Sequence, residues 1–210
     1  MFRRAVLAAV VVGLAFGTGV ASAGNWSHPT LDAVASEVAG KPVSVWCETH
    51  WSEWIHLGDD FGEDWSFLDG FTVLSQPIIF ISPSHCLTLH AILDREDVGS
   101  FLAASSLLTL AHEAVHQRGI QNEGETDCTA LPLVPGLATR HLGIPATISE
   151  SRTSSRWKRV TRVVQGKRVT VRVRVTTVTY ATVPNPYLAR LADAALRYHR
   201  AAPPEYQGNC

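Results

Sequence analysis

Hydrophobic and polar positions along this chain fall into a few recognisable periods. Residues Ala5 to Val20 form an uncharged, mostly apolar run, preceded by Arg3 and Arg4 and followed by the small residues 21-ASA-23. That layout predicts a secretory signal peptide over residues 1–23, removed on export. The alternative is an uncleaved signal that anchors the chain, because such a run could nearly span a bilayer. No later segment is apolar enough over sufficient length to cross a membrane. Beyond the signal, Leu31, Val34, Ala35 and Val38 share one helical face, so a helix is expected over 31–40, capped by Thr30 and stopped by Gly40. The alternation in 42-PVSVWC-47 predicts a half-buried strand, and 77-PIIFIS-82 a buried one followed by a turn at Pro83-Ser84. Between them, the Trp-, Asp- and Gly-rich stretch 48–76 suggests hairpin-like pieces around 58-GDDFGED-64 and 69-DG-70.

The strongest helical period lies in 100-SFLAASSLLTLAHEAVHQRG-119, where apolar residues recur at 101, 104, 107, 108, 111 and 115. Ser100 can cap this helix, and Gly119 is placed to end it in a left-handed conformation. A shorter helix is expected from about Glu123 to Leu131, with a helical continuation in 136-GLATRHLG-143 after Pro132 and Pro135. Alternation in 168-RVTVRVRVTTVTYATV-183 and a turn at 165-QGK-167 predict a long β-hairpin over 157–183. The chain closes with a helix over 186-PYLARLADAALRYHR-200 and a Pro-rich tail.

Charge divides the chain more sharply than hydropathy does. Residues 24–150 carry 17 acidic and 4 basic side chains, whereas 151–175 carry 9 basic ones and no acidic one. The asymmetry marks residues 151–183 as an element apart, a basic hairpin between a core over 24–150 and a C-terminal helix and tail over 184–210. Four cysteines, Cys47, Cys86, Cys128 and Cys210, lie beyond the signal. An even number in an exported chain without a CxxC pair implies two disulfides, with three pairings open.

The chemistry concentrates in 112-HEAVHQRGIQNEGETDC-128. Histidines four apart on a helix share a face, so His112 and His116 can present their imidazoles to one ion. Glu113, beside the first of them, can take a proton from a zinc-activated water and return one to a leaving group. This is the HExxH arrangement of zinc metalloproteases.

With that motif late in an apolar-patterned helix, the chain resembles the zincin metallopeptidases. In the metzincin branch the motif continues through a glycine, here Gly119, to a ligand position that this chain fills with Asn122, a poor zinc ligand. In the gluzincin branch the third ligand is a glutamate on a following helix, often within E-x-x-A-D. The stretch 123-EGETD-127 resembles that signature, with Thr126 where alanine is usual. The resemblance implies Glu123 as third zinc ligand, Glu125 as its fallback, and Asp127 as the hydrogen-bond acceptor that fixes the tautomer of a ligand histidine. The chain is also similar to small secreted bacterial zinc-peptidase-like proteins, through 43-VSVWC-47, 83-PSHC-86, HEAxHxRG with 123-EGETDC-128, and the tail 203-PPEYQGNC-210. Cys47 and Cys86 close neighbouring expected strands and are expected to pair. Cys128 would then tether the tail through Cys210.

The fold expected is α+β and zincin-like, an active-site helix packed on a small, mainly antiparallel sheet, with an inserted basic hairpin. The function expected is a secreted zinc-dependent metallopeptidase acting on a peptide or protein substrate. Two alternatives stand beside it: a catalytically inactive zincin-fold extracellular binding module, and a surface-binding protein that works through the hairpin. Residues 152–174 suit an anionic cell-surface polymer. No nucleic-acid partner is expected, since Trp157 is the one aromatic among the cations of 152–174 and no series of aromatics interleaves them, and no membrane partner after signal cleavage. The tryptophans concentrated in 46–65 are read as packing residues before groove residues. His50, His56, His85 and His90 are read as ordinary surface or core histidines.

Overall fold

A computed structural model describes residues 25–61, 65–96, 98–165, 167–204, 206, 207 and 210. The expected signal peptide lies outside the described residues. The described chain is a mixed α and β structure, and it separates into two compact units, one comprising the chain up to Ile144 together with Pro186–Cys210, the other Pro145–Asn185. No helix among the described residues is long and apolar enough to cross a membrane.

In the first unit, β1 (Asn25–Trp26) leads into α1 (Pro29–Ala39). The cap of α1 is His28, not Thr30. Pro29 occupies the first turn, where its fixed φ suits the helix, and His28 Nδ1 accepts the Thr30 N–H at 3.1 Å. Gly40 ends α1 with φ 69°. Strand β2 (Ser44–Glu48) follows, then α2 (Trp51–Phe61). The hairpin-like reading of 58–64 is therefore corrected for its described part. Trp54, Leu57, Gly58 and Phe61 stand at i, i+3, i+4 and i+7, a helical stripe that the neighbouring Asp and Gly residues disguise. The hairpin that does form joins β3 (Gly70–Val73) to β4 (Ile78–Ile81). The expected turn at Pro83-Ser84 is instead the first turn of α3 (Pro83–Leu93), with Pro83 at the helix start.

The sheet runs β1-β2-β4-β3, with β2 and β4 parallel and the two outer pairings antiparallel. Alternation along β2 and β4 sends Val45, Cys47, Ile79 and Ile81 into one core, and Trp46, Ile78 and Phe80 into another. The first core is closed by α1, α3, α4 (Ser100–His116) and the helices after it. The second is aromatic: Trp54 and Trp65 are fully buried, and Phe61 stacks on Trp65 with ring centroids 5.2 Å apart. Packing thus accounts for three tryptophans of the 46–65 stretch, Trp46, Trp54 and Trp65.

Two disulfides join Cys47 to Cys86 and Cys128 to Cys210. The first links the end of β2 to the first turn of α3, because the parallel register sets Cys47 opposite Ile81, just before that helix. The second closes a separation of 82 residues. After α4 come α5 (Glu123–Ala130), a 3-10 turn over Leu131–Leu133, α6 (Val134–His141) and, beyond the second unit, α7 (Pro186–Ala201).

The second unit is a two-stranded ribbon, β5 (Thr147–Val164) paired antiparallel with β6 (Lys167–Pro184). It is longer than the expected 157–183. The polar run 147–156 carries little strand signal of its own, but it pairs throughout with the β-branched residues of β6.

Cutting the Cys47–Cys86 link, by replacing both residues with alanine, is expected to cost about 2–4 kcal/mol of stability. Urea unfolding of the double variant against the parent measures it.

Candidate metal centre

Helix α4 is buried along nearly its whole length, from Ala103 to His116, so its polar residues must find partners inside the protein. Two faces of its last turns do so differently. One face docks on the β3–β4 hairpin. Thr72 Oγ1 donates to the Glu113 carbonyl at 2.9 Å, and the Gln117 amide donates to the carbonyls of Val73 and Gln76 at 3.1 and 2.8 Å. Glu113 lies on this face beneath Gly70. A Cβ at position 70 would stand 2.8 Å from Glu113 Cγ, so the absence of a side chain there makes room for the glutamate.

The other face holds His112 and His116. The chain leaves α4 through Gly119, whose φ of 92° reverses its direction. Asn122 then caps α5, its side chain accepting the Glu125 N–H at 2.9 Å. The residue in the metzincin ligand position is thus spent on starting a helix. That cap places Glu123 at the first position of α5, with Oε2 3.0 Å from His112 Nε2 and 3.4 Å from His116 Nε2. Glu125, two positions on, is exposed and stands outside this group.

His112, His116 and Glu123 each offer one ligand atom, and these atoms lie within 4.8 Å of one another, a group able to hold a metal ion. The orientation of each imidazole is set from behind. His112 Nδ1 is 2.6 Å from Asp127 Oδ1, and His116 Nδ1 is 2.7 Å from the Ile120 carbonyl. Both partners accept, so both Nδ1 atoms carry the proton in the neutral rings. The two Nε2 lone pairs then converge on each other, 3.0 Å apart, and on the Glu123 carboxylate. Three acceptors meeting without a donor require a cation or protons between them. Their separations of 3.0–3.4 Å compare with the edge of about 3.3 Å in a tetrahedron with legs of about 2.0 Å, a spacing that ligand atoms around one small metal ion take. The residues fit such an ion.

The electrostatics express the same constraint. Burial opposes charge on His112, but hydrogen bonds to Asp127 and Glu123 outweigh it and raise its pKa to about 10. His116 is likewise raised, burial being outweighed by its hydrogen bond to Glu123 and the charge of Glu113. Glu123 is lowered to about 2, because the hydrogen bonds from the two imidazoles exceed the cost of its burial. Glu113 moves the other way: burial raises it above the usual carboxylate range, against the pull of His112 and His116.

Sequence reasoning misses two residues behind this group. Asp127 is shared, its Oδ2 standing 3.0 Å from Nδ1 of His199 on α7. Tyr206, in the tail held by the Cys128–Cys210 disulfide, lies with its ring 6.0 Å from that of His112. Neither carries a local signal, since the stretches around them read as an amphipathic helix and a proline-rich tail. His85, read as an ordinary histidine, is buried and bridges Ser106 Oγ, at 2.9 Å, and Asp69 Oδ1, at 3.3 Å.

Because His112 is raised to about 10, its ring holds an extra proton at neutral pH, which a cation must displace. Affinity is therefore expected to rise with pH, the dissociation constant falling about tenfold per pH unit for each proton released. Competition with a chromophoric chelator between about pH 6 and 9 measures the slope, and a flat profile would contradict this arrangement.

Comparison of the chain with known protein families, curated proteins and solved structures finds no match, so the functional reading rests on the side-chain geometry alone.

Proposed function

We propose that this chain is a secreted zinc-dependent metallopeptidase. The observation that carries the reading is the convergence of His112 Nε2, His116 Nε2 and Glu123 Oε2 beside a buried Glu113. Three protein ligands leave a fourth position for water or substrate, as catalytic zinc sites do and closed structural sites do not. The two disulfides agree with an oxidising compartment, and the expected signal peptide with export.

His112, His116 and Glu123 would hold the ion. Zinc, when bound there, supplies a Lewis acid that polarises the scissile carbonyl and makes water more acidic. Glu113 accepts the proton of the attacking water and passes it to the departing amine. Burial raises its pKa, which makes it a stronger base than an ordinary carboxylate. Thr72, Gln117 and the open space at Gly70 hold the helix and the carboxylate in place against β3. Asp127 orients the His112 ring and keeps its Nε2 directed at the ion.

Metal analysis of the purified protein is expected to find one zinc per chain, and Glu113→Gln to keep that zinc while losing about 10²- to 10⁴-fold in peptide hydrolysis. Zinc with undiminished hydrolysis in Glu113→Gln would remove the general-base role. Zinc without any hydrolysis in the parent would leave an extracellular binding module, and no zinc would remove both readings.

Gly70→Ala is expected to behave as a positioning variant. Its Cβ would push on Glu113 Cγ and on Thr109 Cγ2, the latter 3.0 Å away. Zinc affinity should stay at the parental value while kcat falls at least about tenfold, a loss of roughly 1.4 kcal/mol in transition-state stabilisation. Isothermal titration and steady-state kinetics on the same preparation separate the two effects.

A further inference from the structure

The unit Pro145–Asn185 contributes nothing to either hydrophobic core. Its base is clamped: Thr147 pairs with Pro184, the Asn185 N–H donates to the Ala146 carbonyl at 2.9 Å, and the Asn185 side-chain amide donates to the Pro145 carbonyl at 2.8 Å. The chain therefore leaves and returns at adjacent points, and a short turn would make the same connection. Instead it builds a ribbon with 18 residues in each strand, about 60 Å long at the usual rise. Strands of globular proteins average about 5–6 residues, and a lone two-stranded hairpin is marginally stable in water. The length calls for a reason outside the fold.

The charge supplies one. The unit holds nine basic side chains and one acidic, Glu150, which stands 3.6 Å from Arg152. The register divides the cations between the two faces. Arg152, Arg156, Lys158, Arg162 and Lys167 project on one side, together with Val169, Val171, Val173 and Val175 of the neighbouring strand. Arg159, Arg168, Arg172 and Arg174 project on the other. The valines serve the ribbon itself. Val160 and Val171 sit directly opposite each other, and Val160, Val173 and Val175 are half-buried by such cross-strand contact. The stems of Arg156 and Lys158 face Val175 and Val173 across the strands, but beyond the Arg152–Glu150 pair the charges have no such local role. Arg159 faces Arg172 across the strands, a like-charge pair that destabilises the ribbon. An anion between them would offset that cost.

From this we infer that the ribbon is a binding surface for a flexible linear polyanion. A flat anionic surface meets one face of a ribbon and leaves the cations of the other in water. A flexible chain can pass along both faces and neutralise both sets. The acidic composition of residues 24–144 repels the same ligand, with 16 acidic side chains against 4 basic, which confines its binding to the ribbon. The inference does not depend on the metallopeptidase reading, since no ribbon residue belongs to the metal-binding group.

The test titrates the full chain with long-chain polyphosphate, followed by fluorescence anisotropy, beside phosphatidylglycerol vesicles and duplex DNA. Binding should weaken with salt at a log–log slope of about −3 or steeper, as release of several counterions demands. Two triple variants, R159Q/R172Q/R174Q on one face and R156Q/K158Q/R162Q on the other, should each weaken polyphosphate binding at least about tenfold. Neither should lower the thermal unfolding temperature, because each removes like-charge repulsion. R159K/R172K/R174K, which keeps the charge, should bind like the parent, and it reads out the charge dependence even if a glutamine variant fails to fold. Loss of binding in only one glutamine variant would overturn the inference in favour of a planar surface. Tighter binding of vesicles or duplex DNA than of polyphosphate, or full binding in both glutamine variants, would overturn it as well.

Discussion

The carboxylate of Asp127 is the joint on which the candidate metal centre depends. One oxygen takes the Nδ1 proton of His112 on α4, the other that of His199 on α7, and the next residue, Cys128, is bonded to Cys210 in the tail. Two adjacent side chains on a short helix thus tie together three helices and the end of the chain. With Asp127 in place, the His112 ring has one orientation and its Nε2 one direction. Burial makes the arrangement exacting: a carboxyl group at 6 % exposure needs partners for both oxygens, and the two imidazoles supply them.

On the neighbouring face of α4 the constraint is steric. The β3–β4 hairpin presses against the last turns of the helix, and Gly70 is the point of closest approach. The sheet's two faces have different roles: one builds the core in which α4 is embedded, the other the aromatic cluster under α2 that holds β3 and β4 in register. The metal-binding group and Glu113 therefore sit on neighbouring faces of one rigid helix, each braced by a different neighbour. Such bracing holds these groups in place relative to one another.

Much of this was legible in the chain itself, and the reasons are physical. Helical periods over 100–119 and 186–200 and strand alternation over 42–47 and 168–183 stand out in the sequence; burial on one side enforces the period of 186–200, whereas 168–183 alternates in a ribbon exposed on both faces. His112 and His116 need only the helical pitch to share a face, and Glu123 needs only a cap at Asn122 to begin a helix. The failures have reasons as well. Helix α2 hides because Gly58 and the aspartates around it are poor helix formers, and only the aromatic cluster makes the helix worthwhile. The start of α3 hides because proline before cysteine reads equally as a turn and as a first helical turn.

Local pattern determined most of the helices and strands and the pair of histidines with its neighbouring glutamate, because each of these follows from periods of two or 3.6 residues, and composition alone determined the charge division. Tertiary structure decided which glutamate joins the histidines, which cysteines pair, and that His199 and Tyr206, over 70 residues beyond the motif, lie behind the group. It also decided that β2 and β4 run parallel in a sheet whose other pairings are antiparallel. These outcomes depend on which distant surfaces meet when the core closes, and no local period encodes that.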